Sequence, residues 1–178
     1  MTGANAAGKS AVAAWLADRG FRVHSLSDAV REEASARGLA PVREHLIRVG
    51  NALRRAEGPG VLALRVLPRL GRRDVVDSIR NPAEVDVLRR LSRFVLLGVW
   101  ASEDVRFRRS LLRARTGDPA TIDEFRRREE DENAHDPTAQ QLASTFRLAD
   151  HVVSNEGDLA ALHRTLADLL AGLDAPPR

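Results

Sequence analysis

Residues 3–10 read GANAAGKS, the spacing G-x-x-x-x-G-K-S of a Walker A phosphate-binding loop. The chemistry of such a loop follows from its residue types. Gly3 and Gly8 let the chain turn so that successive backbone N–H groups point inward, and Ala4, Asn5, Ala6 and Ala7 supply that backbone. The helix that follows adds the positive end of its dipole. Lys9 offers a compact ammonium to the β- and γ-phosphates of ATP, and Ser10 offers a hydroxyl to Mg²⁺. Lys9 is also the one lysine among 28 basic residues; every other base is Arg. A flexible ammonium suits a phosphate cradle better than a planar guanidinium, so its position in the loop strengthens the reading.

Three further groups of residues could act on a phosphoryl group. Asp77 ends the short apolar segment DVVD, where ligands bind in open α/β sheets. A carboxylate there can orient an acceptor oxygen or hold a magnesium-bound water, and Arg80 follows closely. Asp28 and Arg31 share a face at a helix start, which suits an anion-binding fork. Arg106, Arg109 and Arg113 fall on one face of a helix, and Arg126, Arg127 and Arg128 lie in the next. Mobile arginines can neutralise charge that builds on a transferring phosphoryl group. The five His residues are dispersed without metal-ligand spacing.

The elements that must position these groups alternate between strand and helix. A helix runs from Lys9 to Gly20, and Phe21–Leu26 reads as a strand. Ser27 or Asp28 is expected to cap a short helix stopped by Gly38. Helical spacing continues through Val42, Leu46, Val49 and Leu53 to the breaker Gly58–Gly60. Val75 and Val76 form a buried strand. Asn81, Pro82 and Glu84 then spell a capping box. Phe94–Ala101 is a core strand, followed by an Arg-rich helix closed by Gly117. Thr121 and Glu124 open another helix, residues from Thr138 to Asp150 a further one, and His151–Ser154 is a last strand before a terminal helix and a frayed tail. This order implies a parallel sheet with helices on both faces.

Composition narrows the class. The chain has 178 residues, 43% hydrophobic and 30% charged, which fits one domain with a sizeable core. There is no Cys, which fits a reducing cytoplasm and excludes thiolate chemistry. No apolar run is long enough to span a bilayer, and no signal peptide is visible. A pI near 10.7 invites a nucleic-acid reading. Net charge is only +3 and aromatics are 4%, too few for base stacking, so nucleic acid is not the expected partner.

The segments TGANAAGKS, LSDAVREEA, VVDSIRNPAEV and LADHVVSNEG, in this order, resemble the P-loop nucleotide kinases of the dephospho-CoA kinase and adenylate-kinase-like group. The similarity is closest to small archaeal adenylate-kinase-like proteins and to the kinase-like domain attached to some deoxycytidylate deaminases, and it covers nearly the whole chain. It implies a P-loop NTPase three-layer sandwich in one domain, with a lid-like region at about 103–145. It implies an ATP- and Mg²⁺-dependent kinase acting on a nucleoside or deoxynucleoside monophosphate, or alternatively on dephospho-CoA. A non-catalytic ATP-binding module serving a partner such as a deaminase is a further alternative. In the resembling kinases the segment similar to SDAVR gives an Arg to the acceptor phosphate, here Arg31, and the one similar to DSIR gives Asp77 and Arg80. Arg109, Arg113 and Arg128 are the implied lid arginines. Asn155 and Gly157 are implied at the adenine.

In that family a mid-sheet strand precedes the loop, whereas here only Met1 and Thr2 do. Each orphaned main-chain group in the neighbouring strands would cost about 1–3 kcal/mol. The expectation is that Met1 is an internal residue of a longer chain, or that the sheet has rearranged. The chain as given is expected to be poorly stable and to bind ATP weakly beside a version extended by about six apolar residues.

Overall fold

The computed structural model describes residues 1–113, 118–133 and 136–174. Gly117 and the tail from Ala175 lie outside the described residues. Two parallel strand pairs form the centre. β1 (Arg22–Ser25) pairs with β2 (Asp74–Asp77), placing Ser25 beside Asp77. β3 (Leu97–Trp100) pairs with β4 (His151–Ser154). Met1 and Thr2 lie between the two pairs. The Met1 amino group donates to Val76 O, and Ile79 N donates to Met1 O at 3.2 Å. On the other side Thr2 N donates to Leu97 O and Val99 N donates to Thr2 O, both at 3.0 Å. Among the described residues these bonds are the main-chain link between β2 and β3.

Alternation along β2 sends neighbouring side chains to opposite faces. Val75 packs with Val12, Trp15 and Leu16 of α1 (Lys9–Ala17) and with Leu162 and Leu166 of α9 (Leu159–Asp174). Val76 packs with α2 (Leu26–Ala36), α3 (Arg43–Glu57), α4 (Val61–Val66) and α5 (Pro82–Leu88) through Leu26, Val30, Leu53, Leu62 and Leu88. The parallel strands and flanking helices expected from the sequence are therefore present. α6 (Glu103–Arg113) and α7 (Ile122–Asp131) pack together at Phe107 and Phe125, whose ring centroids are 5.7 Å apart. Arg106 is absorbed in this contact. It donates to Ala101 O at 3.0 Å, pairs with Glu129 and lies over the Phe125 ring. No helix of the described residues is long and apolar enough to cross a membrane.

Some elements depart from expectation, and β3 is confined to Leu97–Trp100 of the expected Phe94–Ala101. α2 begins at Leu26, and neither Ser27 nor Asp28 caps it; Ser25 is the N-cap, with no side-chain bond. Leu26 is fully buried, so the chain turns helical as soon as it leaves β1. α8 is only Leu142–Arg147. Thr138 is held in a turn instead, its N–H and hydroxyl both donating to Asp136 Oδ1 at 2.8 Å.

Candidate functional site

The loop at residues 3–10 is held tightly from behind. Gly3 has φ 142°, and a Cβ there would stand 2.3 Å from Val99 O. Gly8 has φ 102°, and a Cβ there would stand 2.0 Å from the Asn155 side-chain nitrogen. Both positions demand glycine on conformation and on space. Asn155 is buried; its Nδ2 donates to Ala7 O at 2.8 Å and its N–H to Trp100 O at 2.8 Å. The residue expected at the adenine thus braces the loop against β3. Gly8 is the N-cap of α1 and offers no side-chain acceptor, so the first helical N–H groups face the loop interior without a cap.

Lys9 Nζ donates to Gly3 O at 2.7 Å and to Ala4 O at 3.0 Å, folded back on its own loop. Burial pulls its pKa down to about 8, Arg80 adds to the fall, and Asp77 and Glu132 oppose it. A bound triphosphate favours the charged ammonium. Above pH 8 binding must therefore draw a proton from solvent, and affinity is lost as pH rises. ATP affinity, measured by titration calorimetry, is expected to be flat from pH 6.5 to about 8. It should then fall by up to about tenfold per pH unit. A flat profile to pH 9.5 would exclude Lys9 as a phosphate ligand.

A cavity of about 710 Å³ opens beside the loop. Asn5, Ala6, Gly8, Lys9 and Ser10 line it, together with Asp28, Arg31, Asp77, Arg80, Arg109 and Arg113. Gly3, Ala4 and Ala7 form the back of the loop, and Gly157 and Arg128 do not line the cavity. Asp77 Oδ2 accepts from Ser78 Oγ at 3.3 Å, while Oδ1 is buried with no hydrogen-bond partner among the described residues. Ser78 sits at φ 64°, a left-handed conformation that ends β2 abruptly beneath the carboxylate. Arg109 Nη1 is likewise buried with no hydrogen-bond partner among the described residues. Arg113 is forked on Asp118 at 2.8 and 3.1 Å and reaches Asn5 Oδ1 at 3.5 Å. Arg31 pairs with Asp28 and Ser27. Arg80 donates to Gln140 Oε1 at 3.2 Å and stands 3.4 Å from Glu132 Oε1. Among the described residues no cluster of three His, Asp or Glu could hold a metal by itself.

This arrangement can seat a triphosphate on the loop and a second anion among arginines, with a carboxylate between. A protein of Hyperthermus butylicus named UPF0200 protein is 34% identical over 177 residues, covering 97% of this chain and 92% of its own. The chain belongs to the UPF0200 family. A UPF0200 protein of Pyrococcus horikoshii is 34% identical over 164 residues, covering 87% of this chain and 86% of its own. No protein-family model matches the chain. Among solved structures, TT1252 from Thermus thermophilus superposes with TM-score 0.60 and 26% identity over 98% of this chain and 96% of that one. Shikimate kinase from Acinetobacter baumannii, in complex with shikimate, superposes with TM-score 0.54 and 13% identity, covering 98% and 93%. The UPF0200 chain thus has an α/β fold similar to those of TT1252 and shikimate kinase.

Sequence reasoning missed four charged residues of this UPF0200 cavity, Arg43, Arg54, Asp118 and Glu132. Arg54 lines it and is itself only 2% exposed, donating to Glu84 Oε1 through Nε at 3.1 Å and Nη2 at 2.8 Å. Glu132 is also 2% exposed; its Oε1 pairs with Arg43 and Arg80, and its Oε2 has no partner among the described residues. Arg43 opens α3 and was indistinguishable from the other surface arginines. Glu132 stood in the acidic run EEDE, where nothing local marks one carboxylate as buried.

Proposed function

We propose that this chain is a nucleotide kinase of the dephospho-CoA kinase and adenylate-kinase-like group, moving the γ-phosphoryl group of ATP to a nucleoside or deoxynucleoside monophosphate. One observation carries the proposal. A Walker A loop and a buried carboxylate oxygen without a partner, Asp77 Oδ1, line the same cavity. A buried, unsatisfied carboxylate costs stability and persists where a ligand completes it.

The loop amides hold the triphosphate, and Lys9 leaves the Gly3 and Ala4 carbonyls to meet it. Ser10 and Asp77 are the residues that would hold Mg²⁺, and their oxygens fit a hard cation that keeps several waters. When bound, the ion neutralises phosphate charge. Arg31 and Arg80 take the acceptor phosphate. One of its oxygens forms a bond to the γ-phosphorus as the bond to the β,γ-bridging oxygen breaks, and ADP leaves with that electron pair. Asp77 orients the acceptor side of this line, and Arg109 and Arg113 neutralise the charge that spreads over the transferring oxygens. α6, α7 and the segment to about residue 145 act as the lid. Arg128 has no place in this arrangement. Gly157 borders the adenine position, with Asn155 behind it as a brace. The setting proposed is cytoplasmic.

The test is a panel of nucleoside and deoxynucleoside monophosphates and dephospho-CoA, each incubated with the chain, ATP and Mg²⁺. ADP and a nucleoside diphosphate are expected in equal amounts with one class of base. Product from dephospho-CoA alone would replace the acceptor assignment. Tight ATP binding with no acceptor phosphorylated would turn the reading toward a regulatory nucleotide-binding module.

A further inference from the structure

Among the described residues Glu84 and Glu132 are buried carboxylates that meet arginines, and they meet them differently. Glu84 is complete. Its Oε1 takes Nε and Nη2 of Arg54, and its Oε2 takes the backbone N–H groups of Arg80 at 2.8 Å and Asn81 at 3.1 Å. Both carboxylate oxygens are thus satisfied, as in a structural ion pair.

Glu132 is incomplete. Arg43 from the start of α3 and Arg80 from the turn after β2 both converge on Oε1. Oε2 is buried, lines no hydrogen bond among the described residues, and belongs to a residue of the cavity wall. Arg43 is 35% exposed and Arg80 23%, both line the same cavity, and each guanidinium has more N–H donors than the Glu132 contact uses. Two guanidiniums from separate elements closing on one oxygen make a seat for a tetrahedral anion, which has more oxygens to offer than a carboxylate pair held on one side. The cavity as a whole favours such an anion. Lys9, Arg31, Arg43, Arg54, Arg80, Arg109 and Arg113 face Asp28, Asp77, Asp118 and Glu132.

We infer that Arg43 and Arg80 form the clamp for the acceptor's phosphate and that Glu132 occupies that clamp in the free chain, so the acceptor binds by displacing the Glu132 carboxylate. This rests on the kinase reading, and it adds Arg43 as a ligand and Glu132 as the group that tunes acceptor affinity. A phosphomonoester dianion carries more charge than the carboxylate and reaches both guanidiniums with separate oxygens. Neutral metabolites lacking that dianion cannot open the site, so Glu132 also screens acceptors for their phosphate.

The experiment measures binding of AMP, CMP, GMP and UMP to the full chain by titration calorimetry without ATP, in the parent, Glu132→Gln and Arg43→Gln. Glu132→Gln is expected to tighten the preferred monophosphate on the order of tenfold, because a neutral amide competes poorly for two guanidiniums. Arg43→Gln is expected to weaken it on the order of tenfold while ATP affinity stays within about twofold. The corresponding nucleosides are expected to bind no better to Glu132→Gln than to the parent. If Glu132→Gln unfolds, Arg43→Gln and the nucleoside control still decide the matter. A Glu132→Gln chain that binds monophosphate no tighter, or an Arg43→Gln chain that binds it as well as the parent, overturns the clamp. Phosphoryl transfer from ATP by the parent chain would leave the kinase reading standing in either case.

Discussion

Asp77→Asn is expected to remove phosphoryl transfer while leaving ATP on the loop. The change keeps shape and removes charge, so Ser25 beside it and Ser78 beneath it need not move. A positioned carboxylate that acts on the acceptor contributes about a hundredfold to ten-thousandfold in rate, and kcat should fall by that order. ATP affinity at pH 7 should change by less than about threefold, because the loop amides and Lys9 make the phosphate contacts. A variant with kcat within about fivefold of the parent would remove Asp77 from the mechanism and leave its buried oxygen unexplained.

The same substitution has a second readout that a bystander would not give. Asp77 is one of the charges that hold the Lys9 pKa up against burial and Arg80. Neutralising it should lower the Lys9 pKa further from about 8. The pH at which ATP affinity begins to fall should move down with it. Rate loss and a displaced affinity profile in one variant would tie Asp77 to both sides of the cavity. Rate loss with an unmoved profile would place it with the acceptor alone.

What could be read from the sequence was what lies close together in it. The loop is eight consecutive residues whose spacing is their meaning, and it folded as a loop. Asp77 was legible because a short apolar run ended on a carboxylate, and the box at Asn81 and Glu84 because capping is a four-residue pattern. The residues that escaped are those whose roles depend on pairing across the fold. Arg54 meets Glu84 across 30 residues, and Arg43 meets Glu132 across 89. No local signal separates them from the Arg-rich, Glu-rich surface around them. The cap of α2 was misplaced because burial of Leu26 outweighed the preference of Ser27 and Asp28 for a capping position. Arg106 was grouped with Arg109 by helical phase, yet only one of the two faces the cavity. The other is held by Glu129 and Phe125.

The largest effect on stability is expected at Glu84, which the capping box alone does not explain. Glu84 is fully buried and is, among the described residues, the one carboxylate on Arg54, which is only 2% exposed. Glu84→Ala leaves a buried guanidinium without its partner and strips acceptors from the Arg80 and Asn81 N–H groups. Breaking a buried pair this way costs about 3–5 kcal/mol, which for a chain of this size lowers Tm by roughly 10 °C or more. The damage should reach the acceptor side, because Asn81 also ties down the 137–139 segment through Pro137 O and Ala139 O, and Arg80 O receives Gln141 N. A paired substitution separates the two duties of Glu84. In Arg54→Met with Glu84→Gln the amide oxygen can still receive the Arg80 and Asn81 N–H groups while no buried charge remains. That chain should recover most of the loss seen in Glu84→Gln alone, giving a coupling of about 2 kcal/mol or more in a double-mutant cycle read by urea unfolding. Additive losses would mean that the pair is not one unit, and a Glu84→Ala chain destabilised by under about 1 kcal/mol would mean that the cavity wall rests on something else.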